Sequence, residues 1–187
     1  MGKFIYSAMV SLDGYIEDRD GSISWSAPDE EVHRYANDRT AEAGLVIMGR
    51  KLCESMEPYW SDLAKTPTGT DFVDEFARIW VTKPKLVFSR TLDEAPADAG
   101  LVRELDPVWA AGLRDKVDGA ISLGGAALAS DFAAAGLVDE VELITVPAFT
   151  GGGKPMFGPG FDGLGFDLIE SRTFGSTTVT RYAVTRS

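Results

Sequence analysis

The chain has 187 residues, 44% hydrophobic and 25% charged, with a formal net charge of −11 and a single cysteine. That length and composition suit one globular domain and argue against disorder, and an excess of 29 Asp+Glu over 18 Lys+Arg makes a poor partner for nucleic acid or an anionic membrane surface. With one His (His33) and one Cys (Cys53), no His/Cys zinc site and no intrachain disulfide can be built within the chain, so no metal is expected.

The first apolar run, 4–10, reads as a strand and not as the core of a signal peptide. No run approaches the roughly 20 apolar residues of a membrane helix. Together with the lone cysteine, this gives the expectation of a cytoplasmic protein. A helix is expected over 29–43, with Pro28 ahead of it and Gly44 to stop it. Leu45-Val46-Ile47-Met48 is uniform enough for a strand buried on both faces, and it runs into a short helix over 50–56. A helix over 70–80 presents Phe72, Val73, Phe76 and Ile79 on one face, and 85–88 follows as a strand. Further elements are a helix over 107–116, a strand over 120–123, a helix over 126–135 closed by Gly136, and a strand over 141–146. Segments 167–171 and 177–185, separated by Gly175-Ser176, read as an antiparallel hairpin on the sheet edge. This alternation predicts an α/β domain with a mostly parallel central sheet, flanking helices and a C-terminal antiparallel hairpin.

Three strand ends meet glycine or cationic turns: Met48-Gly49-Arg50-Lys51, Phe88-Ser89-Arg90-Thr91, and Leu123-Gly124-Gly125-Ala126-Ala127. Helix N-termini and close backbone approach at glycine suit phosphate groups, and open α/β sheets bind ligands outside the carboxyl ends of their strands. Each turn alone is more often only a turn; the three together point to a nucleotide. Trp25 precedes an acidic helix start, Asp29-Glu30-Glu31, where carboxylates ordinarily just complement the helix dipole. Asp13 reads first as a turn residue with a local side-chain bond, with direct chemistry as the alternative. His33 reads first as a solvated helix residue, with a substrate-phosphate contact as the alternative; Arg34 and Arg39 read as surface cations, and Cys53 as a small core residue. Trp60, Trp80 and Trp109 read as core or interface anchors.

Taken in order, the strand and Ser11-Leu12-Asp13-Gly14-Tyr15-Ile16 loop, Trp25, the acidic helix, Val46 to Lys51, Leu86 to Arg90 and Leu123-Gly124-Gly125 resemble the dihydrofolate reductase fold over nearly the whole chain. Met9-Val10-Ser11-Leu12-Asp13-Gly14, Gly136-Leu137-Val138-Asp139-Glu140-Val141 and the stretch from Pro147 to Phe157 are more similar to the reductase domain of riboflavin-biosynthesis deaminase–reductases and their stand-alone relatives. No zinc-deaminase motif is present, and the expectation is one free-standing reductase domain over 1–187.

The resemblance implies NADPH as cofactor. Gly49, Arg50, Lys51 and Leu52 match the phosphate-binding turn, and Ser89 and Arg90 match the adenosine and 2′-phosphate side. Leu123, Gly124, Gly125, Ala126 and Ala127 match the pyrophosphate loop; Ala8 and Ile16 match positions that meet the nicotinamide. Trp25, Glu30 and Lys83 match the substrate side, with Glu30 as candidate proton donor and Lys83 in place of a folate-tail arginine. Thr145 matches a threonine that supports the substrate carboxylate. Ala129 stands where a tyrosine meets the nicotinamide in dihydrofolate reductase. The implied activity is that of a 5-amino-6-(5-phosphoribosylamino)uracil reductase-like enzyme, transferring hydride to a sugar or imine carbon of a small heterocycle. The alternatives are a dihydrofolate reductase and a non-catalytic NADPH-binding sensor or interaction protein. Relatives of the riboflavin type imply a homodimer, with the Gly-rich segment 150–165 as a possible contact.

Overall fold

The computed structural model describes residues 1–96 and 99–185. Eight strands form one sheet. Six of them run parallel: β5 (Ala99–Val102), β4 (Lys85–Phe88), β3 (Ala43–Gly49), β6 (Ala120–Gly124), β1 (Phe4–Val10) and β7 (Glu140–Thr145), in that spatial order. The antiparallel hairpin of β9 (Gly165–Phe174) and β10 (Thr177–Thr185) adds to the β7 edge through β10. The expected strands and hairpin are therefore present. Three further strands appear: β5, and the small ribbon of β2 (Tyr15–Glu17) with β8 (Lys154–Pro155).

Both faces of the parallel strands are covered, which is why β3 is apolar at consecutive positions. Leu45 and Ile47 join Phe4, Tyr6, Ile121 and Leu123 on one face, beneath α6 (Ala126–Ala134), which contributes Leu128, Ala129 and Phe132. Val46 and Met48 join Val87 on the other face, beneath α2 (Arg50–Lys65) and α3 (Asp71–Thr82), which contribute Cys53, Phe76 and Trp80. Val32 and Tyr35 of α1 (Glu30–Glu42) cover Ile144 and Val179. Asp29 caps α1 by accepting the Val32 amide at 3.0 Å.

Two helices differ from their sequence expectation. α2 continues past 56 to Lys65, carrying Pro58 inside. Its apolar face, with Met56 and Trp60 packed against the core, holds the helix where the proline alone argues for a stop. The helix expected over 107–116 is split into α4 (Pro107–Ala111) and α5 (Leu113–Lys116) at Gly112. The Gly-rich segment after β7 folds back on the core in part: Met156 and Phe161 are buried, while Phe149 is exposed. No helix among the described residues is long and apolar enough to cross a membrane.

Candidate functional site

β3 and β6 are adjacent and parallel, with Met48 opposite Gly124. The helices that follow them leave to opposite faces of the sheet, α2 to one and α6 to the other. Such a reversal opens a crevice at the carboxyl ends of the two strands. Gly49 precedes α2 and Gly125 precedes α6, and neither helix start is capped by a side chain. Gly125 holds φ at +97°, and a Cβ there would lie 4.0 Å from the Gly49 nitrogen. A Cβ on Gly124 would fall 2.3 Å from Leu52 Cδ2. Bare backbone from two strand ends thus meets at one place, with free N–H groups and two positive helix ends directed there.

On the other side of β3, Gly49 pairs with Phe88, which places the Ser89-Arg90 turn next along the same edge. Ser89 Oγ accepts the amides of Thr91 (3.2 Å) and Leu92 (2.9 Å), which fixes the turn. Arg103, just beyond β5, donates to the carbonyls of Ser89, Leu92 and Asp93 and ties the turn down. Arg90 and Lys51 are exposed and line the crevice, and no hydrogen bond or ion pair among the described residues holds either. Arg50 pairs with Glu54 at 3.0 Å along α2.

The crevice continues into one cleft of about 1550 Å³ that passes β1 at Ala8 and Met9 and β2 at Ile16. Single small-ligand pockets span about 300–1,000 Å³, so a dinucleotide and a second molecule fit together. The far end is walled by α1, the later turns of α2, and α3. His33, Tyr59, Trp60, Phe72 and Phe76 line it. Trp60 and Phe76 pack at 4.4 Å, and the His33 ring sits edge-on to Phe72 at 5.0 Å. On its sheet side lies Glu142, 1% exposed, accepting Ser7 Oγ–H at 2.8 Å and Tyr35 Oη–H at 2.6 Å.

The family model of the RibD C-terminal domain matches residues 3–180. The chain belongs to that family. A curated relative, the uncharacterized protein YyaP of Bacillus subtilis, is 29% identical over 178 residues, which are 95% of this chain and 92% of YyaP. Among solved structures, a Shewanella sp. PV-4 protein named for riboflavin biosynthesis is 26% identical with a TM-score of 0.73, covering 98% of this chain and 99% of its own. The diaminohydroxyphosphoribosylaminopyrimidine deaminase/5-amino-6-(5-phosphoribosylamino)uracil reductase of Thermotoga maritima is 15% identical (TM-score 0.67); this chain covers 56% of its length and is itself 97% covered. Dihydrofolate reductase of Enterococcus faecalis, solved with NADP(H), is 12% identical (TM-score 0.64), with 99% of this chain and 98% of the enzyme covered. The fold of this RibD-type domain is dihydrofolate reductase-like.

Most of the residues expected at the cofactor lie along the cleft of this RibD-type domain: Ala8, Ile16, Gly49, Arg50, Lys51, Leu52, Ser89, Arg90, Leu123, Gly124, Gly125 and Ala127. Ala126 and Thr145 do not line it. Ala126 is turned into the core, and Thr145 sits at the end of β7 between Val10 and Thr178.

The expected substrate and catalytic residues are placed elsewhere. Glu30, 58% exposed, pairs with Arg34 one turn along α1 and lies outside the cleft lining, because its side chain is on the solvent face of the helix while Val32 and His33 turn inward. Trp25 is outside it too, with its ring N–H donated to the Ser22 carbonyl at 3.0 Å. Lys83 Nζ is spent on the carbonyls of Ala41 and Ala43, joining α3 to the start of β3. Asp13 accepts the amides of Thr150 (3.2 Å) and Gly151 (2.8 Å), a link between loops and not a group in the cleft. Burial tends to raise the pKa of its carboxyl. Bonds from Ser11, Thr150 and Gly151 outweigh that and hold the carboxyl below its usual range.

Arg39 and His33, expected as solvated, are half-buried, and both line the cleft. Cys53 is buried, and burial with Glu57 and Glu54 nearby pushes its thiol up, away from nucleophile behaviour. Arg103 went unread in the sequence because it follows a strand, Ala99–Val102, with only two bulky apolar residues and a glycine inside, too weak a strand pattern to register.

Proposed function

We propose that the protein is an NADPH-dependent reductase that transfers hydride to an electrophilic carbon of a small heterocyclic substrate. The observation that carries this is the meeting of two uncapped helix starts, at Gly49 and Gly125, beside the unheld cations Lys51 and Arg90. The residues fit the cofactor. The bare backbone of Gly124 and Gly125 and the N-terminus of α2 would hold the pyrophosphate. Arg90, with its planar fork of donors, would hold the 2′-phosphate and so favour NADPH over NADH. Ala8 and Ile16 present small and apolar surface where the cleft passes β1 and β2, which leaves room for a flat ring.

NADPH supplies hydride when bound; the protein's part is to align donor and acceptor and to keep water out. Membership of the RibD family and the fold shared with dihydrofolate reductase support this reading. The test is a fluorescence titration with NADPH, then turnover with pyrimidine, pterin and imine substrates. Saturable binding with consumption of NADPH by one of them is expected. Binding with no consumption by any makes the protein a nucleotide sensor, and absence of binding removes the proposal.

A further inference from the structure

The aromatic end of the cleft carries its own chemistry. Of the cations along the cleft, Arg50, Lys51, Arg90 and Arg103 stand at the ends of β3, β4 and β5. The remaining two are committed to carboxylates: Lys154 to Glu17 at 3.2 Å, and Arg39 to Glu42 and Glu142. Arg34, on the outer side of α1, is held by Glu30 and Glu75. Among the described residues, the aromatic end therefore offers no unengaged cation for a phosphate or a carboxylate. An anion there would strip a partner from an existing ion pair and lose its own hydration against aromatic walls.

His33 at that end keeps one ring nitrogen free, and the tautomer of the ring is set by its neighbours. Asn37 is 1% exposed. Its amide N–H groups go to the Phe72 carbonyl (2.9 Å) and the Glu75 carboxylate (2.8 Å). Both are acceptors, so the amide cannot be turned around. Its oxygen then faces His33 Nδ1 at 3.0 Å, and Nδ1 must carry the proton. In the neutral ring His33 Nε2 is then an unshared acceptor. It has no partner among the described residues and is not among the buried polar atoms lacking one.

We infer that the end of the cleft between α1, α2 and α3 binds a planar, uncharged heterocycle without phosphate or carboxylate substituents, and that His33 Nε2 selects it by accepting a ring N–H. The inference rests on the dinucleotide occupying the other end. It separates this chain's substrate from the phosphoribosyl compound in the name of its Thermotoga maritima neighbour.

The experiment uses the full chain saturated with NADP⁺, so that nothing turns over. Dihydroneopterin and dihydroneopterin phosphate share one ring and differ by one phosphate. Each is titrated by calorimetry, and the nitrogen signals of the protein's one histidine are followed by NMR. Dihydroneopterin is expected to bind at least about tenfold more tightly than its phosphate. The Nε2 signal should move on binding while Nδ1 keeps its proton. His33→Phe should weaken dihydroneopterin about tenfold and leave the NADPH dissociation constant unchanged, which also reports intact folding.

Equal or tighter binding of the phosphate overturns the inference, as does binding of dihydroneopterin with Nε2 unmoved, or binding of neither pterin. Failure to bind NADP⁺ and NADPH sinks the proposed function instead; the same pair titrated on the protein alone then still decides the inference.

Discussion

Gly49 and Gly125 face each other across the ends of β3 and β6: a Cβ built on Gly125 would lie 4.0 Å from the Gly49 nitrogen. The two residues begin helices on opposite faces of the sheet, so two positive helix ends share one small volume. Gly125 also holds φ at +97°, which L side chains rarely adopt. Gly125→Ala is expected to cost about 1–3 kcal/mol of stability in urea unfolding. NADPH binding by fluorescence titration should weaken about tenfold as the added methyl enters the phosphate cradle.

Arg90 is exposed at the end of β4 and engaged by nothing among the described residues. Replacing it should leave folding untouched and act on the cofactor alone. Arg90→Gln is expected to raise the NADPH dissociation constant about tenfold and that of NADH far less. Parallel titrations over a range of salt concentrations check this; the NADPH affinity of the variant should also depend less steeply on salt.

Glu142 is buried between Ser7, Tyr35, Arg39 and Arg181, and the Nε atoms of both arginines are buried without a hydrogen bond of their own. Without the carboxylate, Arg39 keeps Glu42 and Arg181 keeps Glu140 and Glu170, but the Ser7 and Tyr35 hydroxyls lose their acceptor and both buried Nε–H groups lose the carboxylate nearest them. Glu142→Leu is expected to lose about 3–5 kcal/mol in urea unfolding, summed over these unsatisfied donors. Tyr35→Phe, which removes only the 2.6 Å bond to that carboxylate, should lose about 1.5–3 kcal/mol.

Glu140 sets an acid limb of stability. Burial raises its carboxyl, but Lys3 at 2.7 Å and Arg181 at 2.6 Å outweigh burial and hold it below its ordinary 4.5. A carboxyl depressed on folding contributes stability that is complete above that ordinary value and is lost as pH falls through the folded value. Thermal unfolding of the wild type should therefore fall off below about pH 4.5, and Glu140→Gln should show a shallower fall from a lower plateau.

Glu30 pairs with Arg34 at the surface and is distant in role from the cleft. Exposed i,i+4 pairs contribute about 0.3–0.5 kcal/mol. Glu30→Gln is expected to keep kcat/KM unchanged at every pH, and to change stability by no more than that amount. A pH-dependent loss of turnover would return Glu30 to the chemistry.

The long apolar runs made the parallel strands legible, since β3 and its neighbours must be buried on both faces. The glycine turns at Gly49 and Gly124-Gly125 were legible for the same reason: a strand running directly into a helix leaves few residues for the turn. The substrate side was not. On a helix each residue turns about 100° from the last, so a match by spacing to Glu30 says little about which side chain faces the cleft. His33 and Arg39, not Glu30, face it. Lys83 matched by position, yet its ammonium is captured by two carbonyls that no sequence pattern announces. The β2–β8 ribbon is too short for a period to register, and β5 holds only two bulky apolar residues beside Gly100, which hid Arg103 as well.

The most direct test follows energy transfer from protein tryptophan to NADPH during titration of the wild type and Gly125→Ala, together with NADPH consumption on adding a dihydropterin. The account predicts saturable one-to-one binding, weakened about tenfold in the variant, and stoichiometric oxidation of the bound NADPH. NADPH that fails to saturate the wild type, or binds both proteins equally, would contradict it.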